Sequence, residues 1–447
     1  MSQSKSTARR ADKIMISRNL GFYTALIVFL VGCKTKSNSA SEFEKSFQTP
    51  PWSVASYQSA ELRSQSQNTN LSVVVAISGG GHRAGNFAIG VLSELESLTD
   101  SAGSRNVLGE VDVFSTVSGG GLAAAVFVST LFDHKTADSS APYSLRQTLA
   151  MDDGRMLKNL RRSYHTSVLR AVLNPKARGV TDRGDFLEEA FDDRLLGYKN
   201  RGRSLTLGDL FVPVGDKTRR PLVPLWVANA TVYENGSVFP FHPLGLEKYE
   251  IVSCTHRLKK TAVKPDFYSL PLAVGMKASA SFPTLLPATT LESSFDSANR
   301  FLHLYDGGLS DNLGIYTAVD ILGETAQRRK VLLVIDAYKG NSGPFSKSEG
   351  SPKFLQIGIR TTSISLDAGH IRHRRMVARL IAGYRRGGSK IDVVYLGFDD
   401  LPDPRRKEVR DIQTDFKISE KEQQILFEAA KEVVALKRDR IRKLVLE

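Results

Sequence analysis

The chain has 447 residues, 41% hydrophobic and 24% charged, enough apolar material for one large α/β domain or two to three smaller ones. A formal charge of +14 points to an anionic partner: phospholipid headgroups, envelope polyanions or nucleic acid. Nucleic acid ranks below a membrane surface because no zinc-finger spacing or aromatic RNA-binding motif is present, and two cysteines exclude a disulfide framework.

Lys5, Arg9, Arg10, Lys13 and Arg18 crowd the N-terminus against a single acid, Asp12, and the uncharged stretch Leu20 to Gly32 follows. Thirteen residues are too few to span a bilayer comfortably but suit the apolar region of a signal peptide. The stretch closes on Leu30-Val31-Gly32-Cys33, which resembles the bacterial lipobox. The expectation is a signal peptide over 1–32, lipidation at Cys33 and export to a bacterial cell envelope, with an uncleaved signal anchor or a chance cysteine as the alternatives. Cleavage would leave 56 bases against 46 acids, a charge of +10. Residues 33–70, rich in Ser, Gln and Asn, read as a flexible tether. Cys254 reads as a small core residue.

Leu71 to Ile77 is a continuous apolar run, the mark of a strand buried on both faces. Gly79-Gly80-Gly81-His82-Arg83-Ala84-Gly85 follows, then Phe87, Val91, Leu92, Leu95 and Leu98 at helical spacing. A second strand over 111–117, a turn at Ser118 and a helix over 120–132 repeat the pattern. Repetition of strand, loop and helix predicts a three-layer α/β/α fold with a mostly parallel central sheet. Residues 135–220 are mixed and basic; Arg155, Lys158, Arg161, Arg162 and Arg170 among Leu and Val fit either a solvated helical face or an interfacial lid.

Strand patterns return at 224–233 and 249–254, and 269–288 reads as a helix stopped by Pro283. A strand ending at Asp306, a helix from Gly314, a strand over 330–338, an arginine-rich helix and a strand over 390–398 complete a domain of residues 71–400. In the C-terminal segment 401–447, Ser419 and Glu422 form a capping box, and Ile425, Val433, Leu436 and Leu444 continue an amphipathic helix expected to pack on the domain.

Three features carry chemistry. Consecutive glycines at 79–81 let backbone N–H groups converge at a helix start, a nest for phosphate or an oxyanion. Ser118 sits on a strand-to-helix turn, where its Oγ projects above the sheet. Asp306 ends a strand in two glycines, and the C-terminal ends of parallel strands are where such sheets place their sites.

Together, "GGGHRA" (79–84), "TVSGG" (116–120) and "DGG" (306–308), with "ASASFPTLLPA" before the aspartate and "LSDNLG" after it, resemble the patatin-like phospholipase family over roughly residues 70–340. The wording leans toward the branch that holds the animal cytosolic phospholipases. The resemblance implies a lipid acyl hydrolase of phospholipase A or lysophospholipase type with a Ser118–Asp306 dyad. It also implies an oxyanion loop of Gly79, Gly80, Gly81, Arg83 and Gly119, Arg83 serving to steady the loop or a headgroup. It calls for no cofactor and no metal, Asp311, Asp320 and the histidines lacking ligand spacing. One departure is Thr116, which stands where this elbow normally carries glycine.

Three other readings stand beside this one. A dinucleotide site would use Gly79-x-Gly81-x-x-Ala84 with Asp112 as its acid, though Asp112 opens its strand rather than ending it. A Ser-His-Asp hydrolase would recruit His303, His370 or His373, and Asp336 is a second candidate acid. A catalytically inactive scaffold lipoprotein would keep the fold alone. The expected partners are an acyl-ester lipid and a membrane surface, preferably anionic; the sequence leaves the oligomeric state open.

Overall fold

Every residue of Leu71–Ile77 is buried, and this strand, β1, lies in the middle of the parallel half of the sheet. The computed structural model describes residues 68, 70–137, 154–164, 185–197, 202–214, 218–242, 251–254, 268, 270–283, 285–293, 301–340, 354–386 and 390–447. The expected signal peptide, Cys33 and nearly all of the expected tether lie outside them.

After β1 come helix α1 (Gly81–Glu96), strand β2 (Val113–Val117) and helix α2 (Gly119–Ala137). Helices α3 (Arg155–Arg161) and α4 (Asp185–Arg194) precede a hairpin of β3 (Phe211–Val214) and β4 (Thr218–Pro221). Strands β5 (Leu225–Val232), β6 (Val238–Phe241) and β7 (Ile251–Cys254) lead to helix α5 (Leu272–Ala280). Next are β8 (Thr289–Ser293), β9 (Phe301–Asp306), the single turn α6 (Gly308–Asp311) and α7 (Ile315–Glu324). The chain closes with β10 (Arg329–Asp336), α8 (Phe354–Arg386), β11 (Lys390–Gly397), α9 (Arg405–Asp411) and α10 (Glu420–Val445).

The sheet runs β11-β10-β1-β2-β5-β9-β8-β7, with β6 also on β5. From β11 to β5 it is parallel, the expected α/β/α arrangement. Beyond β5 it turns antiparallel through β9, β8 and β7. The β1–α1–β2 and β10–α8–β11 crossovers travel in opposite directions across the sheet, so right-handed connection places α1 and α8 on opposite faces. Helix α10 packs on α1, and α7 on α8.

Local differences from the sequence reading have physical causes. The expected helix over 269–288 is confined to α5, because Ser281 leaves the helical region ahead of Pro283 and the following residues enter β8. Strand β8 is polar, Thr-Thr-Leu-Glu-Ser, and takes its pairing from β7 and β9 rather than from an apolar pattern. In α10 the buried stripe is Leu426, Ala430, Val433, Val434 and Ile441, while Leu436 faces outward with 59% of its surface exposed.

Candidate functional site

Ser118 sits between β2 and α2 with φ of 48°, the only non-glycine residue at positive φ among the described residues. A serine in this left-handed region stores backbone strain, and the surroundings that hold it there form a connected set of hydrogen bonds. The Ser118 N–H donates to Ser279 Oγ at 2.9 Å, and Ser279 Oγ donates to the Asn229 carbonyl at 2.6 Å. Beneath, Asn229 Nδ2 reaches Ser115 Oγ and the Thr116 carbonyl, and Thr317 Oγ1 donates to Asn229 Oδ1. The end of α5 also grips the aspartate strand: Asp306 N–H donates to the Ser281 carbonyl and Gly307 N–H to the Ser279 carbonyl. Serine and aspartate are thus hung from one short segment, 279–281.

The register explains their meeting. Val117 lies beside Asn229, and Asp306 lies beside Ala230 on the other side of β5, so Ser118 and Asp306 stand at the same height. The expectation that Asp306 ends a parallel strand is corrected here. Strand β9 is antiparallel, and it brings Asp306 down from the part of β5 that extends above the parallel sheet. Asp306 is 5% exposed, hydrogen-bonds the Ser118 side chain, and accepts the Gly308 N–H at Oδ1 at 2.8 Å. Burial pushes its carboxyl up to about 6 against the lowering effect of those two bonds, because no lysine, arginine or histidine pairs with it among the described residues.

The glycine loop closes on the elbow backbone to backbone. Gly80 and Gly81 have φ of 142° and 60°, and a Cβ on Gly119 would collide with the Gly81 carbonyl. Gly80, Gly81 and Gly119 stand at helix starts, where an N–H has no intrahelical partner. Two members of the expected oxyanion set are placed otherwise. The Gly79 N–H is already spent on the Asn312 carbonyl at 2.9 Å. Arg83 is 3% exposed and turns its guanidinium to the Ala337 and Ile412 carbonyls and to Thr414 Oγ1, so it steadies the loop from behind. Desolvation lowers its pKa to about 10, partly offset by the charge of Asp336.

Thr116 fits because the required space is on the other side of the contact. It is fully buried, accepts from Trp226 Nε1 at 3.0 Å and donates to the Val227 carbonyl at 3.1 Å. A Cβ on Gly121 would come within 3.3 Å of its hydroxyl, so glycine on α2 makes room for threonine on β2.

These groups open into a cavity of about 340 Å³. Leu122, Leu187, Phe191, Phe282 and Leu285 give it an apolar wall, and Tyr338, Lys339, Asp367 and Gln413 a polar one. Residues 413–416, which the sequence offered only as part of a closing segment, are also wall residues. The Asp415 carbonyl accepts the His82 N–H and the Phe416 carbonyl accepts the Tyr164 N–H. No local sequence signal marks them: Asp415 and Phe416 act through backbone carbonyls, while Thr414 Oγ1 and Gln413 Oε1 accept from Arg83 and Lys339, both distant in the chain. Ser279 lies in the ASASFPTLLPA stretch, where nothing local distinguishes it from Ser281.

The other candidates lie apart. His303 pairs with Glu234, His370 with Asp336, and His373 with Asp311; none of the three lines the cavity, nor does Asp336. His82 does, with Nε2 2.9 Å from the Arg162 carbonyl. Asp112 accepts the Val73 N–H at the opening end of β2, away from the glycine loop, which removes the dinucleotide arrangement. Asp311 holds the Leu313 and Tyr316 N–H groups. Among the described residues no group of three acidic, histidine or cysteine side chains is placed to hold a metal.

The fold and its cavity therefore define an α/β protein with a strained serine and a buried acid at one edge of the sheet. The chain belongs to the patatin-like phospholipase family, whose model matches residues 75–319, more than half of its length. Similar solved structures include human GIVD cytosolic phospholipase A2, at 13% identity and a TM-score of 0.43 over 88% of this chain and 62% of that one. The same protein in complex with methyl gamma-linolenyl fluorophosphonate and terbium chloride gives 14%, 0.40, 90% and 64%. VipD from Legionella pneumophila gives 12%, 0.29, 82% and 68%. This chain thus spans less than two-thirds of the two phospholipase structures. No curated protein matches the sequence.

Proposed function

We propose that the protein is a phospholipase A or lysophospholipase-type enzyme that cleaves carboxylic esters through Ser118 and Asp306. The observation that carries the reading is the strained Ser118 hydrogen-bonded to a buried carboxylate that no cation among the described residues neutralises. Ser118 Oγ attacks the acyl carbon as its proton passes to Asp306. The developing oxyanion is met by N–H groups of Gly80, Gly81 and Gly119, where a single donor is worth about 3–4 kcal/mol. Collapse breaks the ester C–O bond, and the leaving alkoxide takes the proton from Asp306. Water then attacks the acyl-serine, giving its proton to Asp306; the acyl C–Oγ bond breaks, Asp306 returns the proton to Ser118 Oγ, and the fatty acid leaves. An apolar wall beside Ser118 suits an acyl chain, and the polar wall suits the remainder of the ester.

A fluorophosphonate probe should form an adduct on Ser118, and a lipid panel should be hydrolysed by the wild type and not by Ser118→Ala. A folded protein that takes up no probe and cleaves no ester on the panel would leave a scaffold instead. The same reading includes an envelope lipoprotein anchored at Cys33. Intact mass should show loss of residues 1–32 with acyl chains added, and Cys33→Ser should abolish both the mass gain and membrane fractionation.

A further inference from the structure

Helix α8 is too long for the strand it follows. Its 33 residues extend about 50 Å at 1.5 Å each, against roughly 26 Å for the eight of β10. His370 contacts Asp336, the last residue of β10, which fixes the level of the strand ends along the helix. Residues 354–369 therefore project beyond the sheet on the side of the cavity, and Ser363, Leu366 and Asp367 form part of its wall.

On this helix Ile357, Ile364 and Ile371 are 49%, 51% and 53% exposed. They stand seven residues apart and so share one face, offset only about 20° per step. They are three of the five large hydrophobic side chains exposed among the described residues. Further along the same side, Arg372, Arg375 and Arg379 are exposed and form no ion pair among the described residues. The whole helix holds seven arginines and one acid, Asp367, which is engaged by Tyr338 and Arg360.

We propose that this face of α8 docks on an anionic lipid bilayer, with Ile357, Ile364 and Ile371 entering the interface and Arg372, Arg375 and Arg379 meeting lipid phosphates, so that the cavity opens at the membrane. Apolar side chains beside unpaired cations are the two halves of interfacial binding. A second copy of the chain is a poorer occupant, because three unpaired arginines on a self-pairing face would repel their counterparts. The inference rests on the acyl-hydrolase reading only in taking the bilayer as the place where substrate lies.

An environment-sensitive fluorophore tests it in the full chain with Cys33→Ser and Ser118→Ala, so that neither lipidation nor turnover contributes. The probe is attached in turn at Ile364→Cys, Ile371→Cys and, on the opposite layer, Leu436→Cys; the chain without an added cysteine sets the background from Cys254. On phosphatidylglycerol vesicles the α8 probes should brighten severalfold and be quenched by spin-labelled lipid, and the Leu436 probe should not. Pure phosphatidylcholine should give much less. Replacing Arg372, Arg375 and Arg379 by Gln should raise the lipid needed for half-response about a hundredfold at low salt, each cation near an anionic surface contributing about fivefold. The same three changes, made in a chain that keeps Ser118, should leave circular dichroism and hydrolysis of a soluble short-chain ester unchanged. Equal response at all three probe sites, an α8 response indifferent to lipid charge, or brightening with protein concentration in the absence of vesicles would overturn the proposal. Failure of the chain with Ser118 intact to cleave the soluble ester would instead count against the hydrolase reading and leave the docking face standing.

Discussion

Asp306 and Asp336 make a natural comparison. Each ends a strand, each is 5% exposed, and each stands at the same edge of the sheet. Asp336 ends a parallel strand and is met by His370 at 3.2 Å and Arg374 at 4.0 Å. Asp306 ends an antiparallel strand and is met by a serine and a backbone N–H. Burial alone therefore does not make a carboxylate reactive. An acid with cationic partners ties elements together; one denied them keeps a raised proton affinity and can trade a proton with its neighbour.

The largest effect that separates them is on turnover. Ser118→Ala and Asp306→Asn should each lower kcat/KM for a lipid ester by about a thousandfold or more, with circular dichroism unchanged. Asp336→Asn should leave kcat/KM within a few-fold and instead lower stability by about 1–3 kcal/mol, since it weakens a buried partner of His370. Equal loss of activity from the two asparagine variants would erase the distinction.

The same contrast predicts an opposite sign in stability. Asp306 titrates at about 6 in the folded chain against 3.8 for the ordinary group, so the folded state holds the proton more tightly. Its contribution to stability is full below pH 4 and is lost as pH rises through 6. Two pH units correspond to about 3 kcal/mol, which Asp306→Asn should restore at pH 8 and not at pH 4, read as denaturant midpoints. Wild-type kcat/KM should fall below pH 6, where the base is protonated. A variant no more stable than wild type at pH 8 would mean that the carboxylate is not strained by burial.

Which of these differences were legible in the sequence follows from how each residue acts. Ser118, Asp306 and the glycine loop announce themselves because strained turns and close approaches demand particular residue types at fixed local spacing. The parallel half of the sheet was equally legible, as its strands are continuous apolar runs buried on both faces. The antiparallel half was not. Strand β8 is polar, and the direction of β9 depends on pairing with β5, set some 75 residues earlier. Residues 413–416 and Ser279 work through contacts with segments up to 330 residues away, which no local pattern encodes.

Ser279 offers a sharper test of that long-range design. Its hydroxyl joins the Ser118 N–H to the Asn229 carbonyl, so Ser279→Ala frees one end of the strained turn without touching Ser118 Oγ. A positioning residue of this kind should cost about tenfold in kcat with KM little changed. Ser279→Thr, which keeps the hydroxyl, should recover part of the loss. If Ser279→Ala raises KM and leaves kcat alone, the residue serves the cavity wall rather than the elbow.

The smallest effect concerns the departure from the usual elbow. Glycine normally occupies the position of Thr116 because the following helix passes close by. Here the space is supplied by Gly121 on the helix, and the Thr116 hydroxyl uses it to bond both Trp226 Nε1 and the Val227 carbonyl. Restoring the common residue should therefore not raise ester hydrolysis. Thr116→Gly leaves the buried indole N–H without its acceptor and should lower stability by about 1 kcal/mol, with kcat/KM within a few-fold of wild type. Gly121→Ala should do more harm than Thr116→Gly, because its methyl group must enter the gap the threonine already fills. In the double variant, with Thr116→Gly and Gly121→Ala together, part of that loss should return, giving a coupling between the two positions in a double-mutant cycle. Strict additivity would mean that strand and helix do not share this space, and that the turn at Ser118 is held by the Ser279 and Asn229 bonds alone.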